Sequence, residues 1–132
     1  MRAFGFLVAL LAGSAANAAD SLPLEAASYV EQIDEGGRAS IRRIEPNAQL
    51  GRGERIVTVL KWKGTGGGLV TSRVPAGLRL QSASRGDVLV STDGGVRWAP
   101  LADYRQVPTG ITHIRWPLGQ GEGQLTYRAI VR

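Results

Sequence analysis

Apolar residues recur at every second position over short spans of this chain, and glycine and proline break the spans apart. A period of two predicts strands. The clearest instance is Arg55 to Lys63, which places Ile56, Thr58, Leu60 and Trp62 on one face and Val57, Val59, Lys61 and Lys63 on the other. The second face turns polar only towards its end, as expected of a strand that is central at its start and half exposed later. From Gln124 to Arg132, Leu125, Tyr127, Ala129 and Val131 alternate with Gln124, Thr126, Arg128 and Arg132, and Ile130 is the exception. Ile111 to Trp116 sets Ile111, His113 and Arg115 against Thr112, Ile114 and Trp116. Ser28 to Asp34 and Arg38 to Ile44 flank Glu35-Gly36-Gly37 as a first hairpin. Leu69 to Val74 forms a short strand, and Leu78 and Leu80 alternate with Arg79 and Gln81.

Between these runs lie Glu45-Pro46-Asn47, a loop from Leu50 to Glu54, the flexible Gly64 to Gly68, the Pro75-Ala76-Gly77 turn, Ser82 to Asp87, and a glycine-rich turn through Gly119, Gly121 and Gly123. Ala99 to Gly110 is long and irregular, with Pro100 and Pro108, and loops of this kind on rigid scaffolds commonly carry binding residues. Val88 to Trp98 reads as a hairpin about Asp93-Gly94-Gly95, with Val88, Val90, Val96 and Trp98 supplying apolar surface. After the leader, no stretch of about ten residues keeps helical spacing free of glycine, proline or a β-branched run. About seven to nine short strands with this punctuation imply an all-β fold, an antiparallel sandwich.

The N-terminus changes the picture of where the domain begins. Arg2, the apolar run Phe4 to Ala12 and the small residues Ala16-Asn17-Ala18 form a signal-peptide pattern, with cleavage expected after Ala18 or Ala19. The expected division is therefore residues 1–18 as leader and 19–132, about 114 residues, as one domain. The leader's run is shorter than the roughly 18 residues that span a bilayer, and no second run follows, so no transmembrane segment is expected in the mature chain. The sequence has no cysteine, which excludes disulfides and a cysteine-linked lipid. Removing the leader takes away both phenylalanines and the methionine, leaving Trp62, Trp98 and Trp116 with the aliphatic residues to fill the core. The formal charge of +5 is spread without a block of like charges. A periplasmic or secreted location argues against nucleic acid and towards an envelope protein, an acidic glycan or an anionic lipid as partner.

The run from Glu45 to Gly77 carries a family likeness. Glu45-Pro46-Asn47-Ala48, Gly53-Glu54-Arg55-Ile56-Val57, Leu60-Lys61-Trp62 ending at Thr65-Gly66, and Val74-Pro75-Ala76-Gly77 resemble the turns and strands of the DUF11 family of bacterial exported Ig-like domains. Ser91 to Trp98 resembles the Asp-Gly-Gly hairpin that often follows there, and Thr112 to Trp116 the strand before the closing one. Arg52, Gly64 and Ser72-Arg73 depart from the family's usual proline, asparagine and Asp-Pro, and a single copy is present where many relatives carry tandem repeats. The resemblance implies an Ig-like sandwich after a cleaved leader, used as a single module rather than a repeated stalk.

Candidate chemistry is sparse. Ser91, Asp93, Gly95 and Trp98 match S-x-D-x-G-x-x-W, the Asp-box, which is similar to the repeated hairpin of sialidases. Such a motif is structural: the aspartate caps turn amides and the aromatic packs beneath. His113 is the only histidine and has no cysteine or carboxylate at ligand spacing, so no metal is expected. Asp87, Asp93 and Asp103 are spaced without any calcium-loop pattern. No G-x-S-x-G elbow occurs, and Gly64 to Gly68 lacks the lysine and helix of a phosphate loop. No cofactor and no enzymatic activity are expected. The positive case is binding: Trp62, Arg97, Trp98, Arg115 and Trp116 are the candidate aromatic and cationic surface for a glycan or anionic polymer. The leading expectation is a non-catalytic envelope module that contacts another protein through a sheet edge or loop face.

Overall fold

The computed structural model describes residues 6–7, 24–45, 48–65 and 68–132. The expected leader, apart from Phe6 and Leu7, lies outside these residues, as do Pro46, Asn47, Gly66 and Gly67. In chain order the strands are β1 (Phe6–Leu7), β2 (Leu24–Ile33), β3 (Ala39–Arg43), β4 (Gln49–Leu50), β5 (Arg55–Thr65), β6 (Leu69–Arg73), β7 (Leu78–Ala83), β8 (Leu89–Ser91), β9 (Ala99–Pro100), β10 (His113–Pro117) and β11 (Gln120–Val131). A single 3-10 turn, Leu101–Asp103, is the only helical element among the described residues.

Two antiparallel sheets form the molecule, as the alternation predicts. One has five strands in the order β3-β2-β5-β11-β7, and the other four in the order β6-β10-β8-β9. The short β1 pairs with β4 apart from both, Phe6 opposite Leu50. The last two long strands fall in opposite sheets, β10 between β6 and β8 and β11 between β5 and β7.

The core lies between the sheets and is built from the faces that alternate inward. β5 contributes Ile56, Leu60 and Trp62; β11 contributes Leu125, Tyr127, Ala129 and Val131; Val90, Ile114 and Trp116 come from the opposite sheet, and Val88 from the residue just before β8. Trp62 and Trp116 meet across the sandwich with ring centroids 5.6 Å apart and planes tilted by 44°. Each large aromatic buried in this way contributes several kcal/mol, so the pair is a principal tie between the layers.

Several boundaries differ from the sequence expectation, each for a tertiary reason. The glycine-rich segment read as a turn is the start of β11, and Gly123 lies directly opposite Trp62 in the ladder. A Cβ at position 123 would sit 2.4 Å from Trp62 Cε2, so the indole needs the space that only glycine leaves. β5 continues to Thr65, through glycine expected to end it, because β11 pairs with it to that point. The loop read from Leu50 contains the end of β4. The long loop from Ala99 opens with β9, which pairs back on β8 despite Pro100.

Candidate functional site

The Asp-box turn is held by its two polar side chains. Ser91 is buried at the end of β8, and its Oγ accepts from the amides of Gly95 at 2.8 Å and Asp93 at 3.3 Å while donating to Asp93 Oδ1 at 2.8 Å. Asp93 Oδ1 also accepts from the amides of Arg97 at 2.9 Å and Val96 at 3.1 Å. The Gly94 amide donates to Thr112 Oγ1 at 3.1 Å, tying the turn to the segment that enters β10. Gly95 sits at φ +97°, a conformation that a Cβ would strain. The Arg97 amide first, and then the Ser91 hydroxyl, hold the Asp93 carboxyl below the usual carboxylate range. Among the described residues, every hydrogen bond of this carboxylate is with its own turn, the geometry of a scaffold.

The return arm differs from the expected strand. Val96 is 76% exposed, and pairing resumes only at Ala99. Trp98, expected in the core, is half-buried outside it. Its Nε1 donates to Gly95 O at 3.1 Å. The Arg115 guanidinium lies 4.0 Å from the centre of its ring, and the His113 ring meets it edge-on at 6.5 Å.

The five candidate binding residues therefore separate. Trp62 and Trp116 are buried against each other, Trp116 completely and Trp62 with only a small edge that lines the groove beside Lys61 and Lys63. Trp98 and Arg115 are brought together on the outer side of the four-stranded sheet, and Arg97 is exposed in the turn beside them. Two residues that sequence reasoning did not select join this group. Thr71 accepts from Arg115 Nε at 3.0 Å, and Arg73 stands opposite His113 in the β6–β10 ladder. Their signal was the shared register of β6 and β10, which one sequence does not reveal.

A second feature is the β2–β3 arm. β3 is the edge of the five-stranded sheet, and its five residues are all exposed. Gln32 and Ile33 extend beyond the part of β2 that pairs with β5. Asp34 closes the tip, its Oδ1 accepting from the amides of Gly36 and Arg38 at 2.9 Å each. Ile33 and Ile41 are 57% and 59% exposed on this arm. A groove over the other end of the same sheet is flanked by Glu25, Lys61, Lys63 and Glu122, where charges of both signs face one another and Lys63 and Glu122 lie 3.7 Å apart. Among the described residues no three of His, Asp and Glu come together as a metal-ligating group, and no helix is long and apolar enough to cross a membrane.

These features define an antiparallel β-sandwich with one Asp-box turn, a cationic and aromatic outer face and an exposed edge arm. Comparison with protein-family models, with curated proteins and with solved structures finds no match to this chain.

Proposed function

We propose that the chain is an exported, non-catalytic β-sandwich module that binds another protein of the cell envelope along strand β3. The observation that carries this reading is the fully exposed β3 edge on a protruding arm that also exposes Ile33 and Ile41. An edge strand offers a row of backbone donors and acceptors, and an incoming strand completes the ladder while side chains set the choice of partner. Arg38, Arg42 and Arg43 make this edge basic, and none of them has an ion-pair partner among the described residues. An extended acidic segment with an apolar residue for Ile41 fits that edge. The leader pattern and the likeness to DUF11 domains support the periplasmic or secreted setting.

The test is a photo-crosslinking residue at Ile41, with one at exposed Tyr104 as control, in cells that export the protein. A discrete envelope protein with an acidic extended segment should be captured from position 41 alone and lost when Arg42 and Arg43 become glutamate. Equal capture from both positions would overturn the proposal.

A further inference from the structure

The outer face of the four-stranded sheet carries a second, independent site. Arg115 is fixed from two directions: its guanidinium lies on the Trp98 ring at 4.0 Å, and its Nε donates to Thr71 Oγ1 at 3.0 Å. That leaves Nη1 and Nη2 without a protein partner among the described residues, in a fork whose orientation is already set. Trp98 is itself fixed through Nε1 to Gly95 O at 3.1 Å, so the platform beneath the fork is part of the Asp-box turn. His113 lies two residues before Arg115 on the same strand and faces the Trp98 ring edge at 6.5 Å. Its Nδ1 hydrogen-bonds Thr112 Oγ1 at 2.8 Å, and Nε2 has no partner among the described residues. Arg73 stands opposite His113 on β6.

Arg73 and Arg115 are diagonal neighbours across the β6–β10 ladder, Arg73 opposite His113 and Arg115 opposite Thr71, so two like charges share one stretch of this face. No carboxylate pairs with Arg73 or Arg115 among the described residues. We infer that Arg115, Arg73 and His113 form a binding site for a phosphate or sulfate group, with Trp98 and Thr71 as positioning residues that lock the Arg115 fork. A planar guanidinium with two free nitrogens suits two oxygens of a tetrahedral oxyanion, while the imidazole and the second arginine take the others. Arg97 lies outside the site; its amide and its charge serve Asp93. This site involves neither β3 nor the acidic strand proposed for it, so either can fail alone.

The charged groups that act on His113 are Arg73 from β6 and Arg115 from its own strand, and both, after desolvation, lower its pKa. A bound oxyanion acts in the opposite sense. Binding of sulfate, which stays a dianion over this range, should therefore tighten as pH falls from about 8 to about 5, and the imidazole should titrate at higher pH when the site is filled.

The probe is inorganic phosphate, added to the purified chain while the His113 ring and Trp98 indole are followed by nuclear magnetic resonance. Saturable shifts at both residues and a raised His113 titration are expected. Arg73→Gln, at an exposed position, should weaken binding by about ten-fold or more. Arg115→Lys should fail to restore what Arg115→Gln loses, since lysine keeps the charge without the fork. If Arg115 variants do not fold, the wild-type titration and Arg73→Gln suffice. Heparin and phosphatidylglycerol vesicles serve as competitors: displacement of phosphate by heparin assigns the anion to a glycan, displacement by vesicles to a lipid headgroup, and displacement by neither to a free ion. A His113 titration that phosphate leaves unmoved, or equal affinity in Arg73→Gln, would overturn the site.

Discussion

A single carboxylate oxygen, Oδ1 of Asp93, collects the Ser91 hydroxyl and the amides of Val96 and Arg97. Bonds to a charged acceptor are stronger than neutral ones, which is why the folded carboxyl titrates below the usual range, with the Arg97 amide the leading cause. A depressed folded pKa adds stability that is present above the unfolded value and lost as pH falls through the folded one. Asp93→Asn should therefore lower the melting temperature at neutral pH, and its deficit against the wild type should shrink as the pH is brought below the usual carboxylate range. An asparagine variant that melts with the wild type at neutral pH would remove the turn-holding role. Trp116 presents the opposite situation, a buried Nε1 with no hydrogen-bond partner among the described residues. That orphan donor carries a desolvation cost, so Trp116→Phe, which keeps an aromatic ring between the sheets, should cost about 1–2 kcal/mol in denaturant unfolding. Trp116→Ala should cost about 3–5 kcal/mol. Equal costs for the two would mean that the indole's full shape is what the core needs.

At the scale of elements, the contact between β5 and β11 depends on a missing side chain. Gly123 leaves room for the Trp62 indole, and a methyl there would overlap it. Gly123→Ala should destabilise by about 1–3 kcal/mol as indole and strand shift apart. Pairing it with Trp62→Leu should recover part of that loss, because the clash partner is gone; a double-mutant cycle measures the coupling, and strict additivity would refute the contact. This pairing also marks the limit of what one sequence discloses. The alternating faces of β5, β10 and β11 are legible because a strand buried on one side must place apolar residues at every second position. Gly121 and Gly123 were not legible as strand, since the need for an empty position is created by an indole from another strand. Trp98 is apolar by type and was expected inside, yet it serves as the platform for Arg115, a partner supplied by β10. The candidate site was half legible for the same reason. Trp98 and Arg115 stand out by residue type, whereas Arg73 and Thr71 enter only through the register of β6 against β10.

Across the whole molecule, a chain without cysteine relies on the packing between its sheets, and one polar row crosses that interior. Ser28, Thr58 and Tyr127 face each other in register on β2, β5 and β11, with Ser28 Oγ and Thr58 Oγ1 2.8 Å apart. Tyr127 is buried, and desolvation pushes its phenol up to about 12, opposed in part by the Thr58 hydroxyl. The unfolded phenol ionises near 10, so the preference for the neutral form is a stabilisation fully present below about pH 10 and lost as pH rises towards about 12. The loss amounts to roughly 3 kcal/mol, a large share of the stability of a domain this size. Tyr127→Phe cannot ionise and forgoes the polar interaction of one hydroxyl, about 1 kcal/mol. The two proteins should therefore exchange rank: wild type more stable in urea at pH 8, the phenylalanine variant more stable near pH 12. Ionisation of the exposed groups is common to both chains and cancels in the difference. Parallel stability curves from pH 8 to 12 would mean that the sandwich admits water to Tyr127 and that the hydroxyl row is not sealed between the sheets.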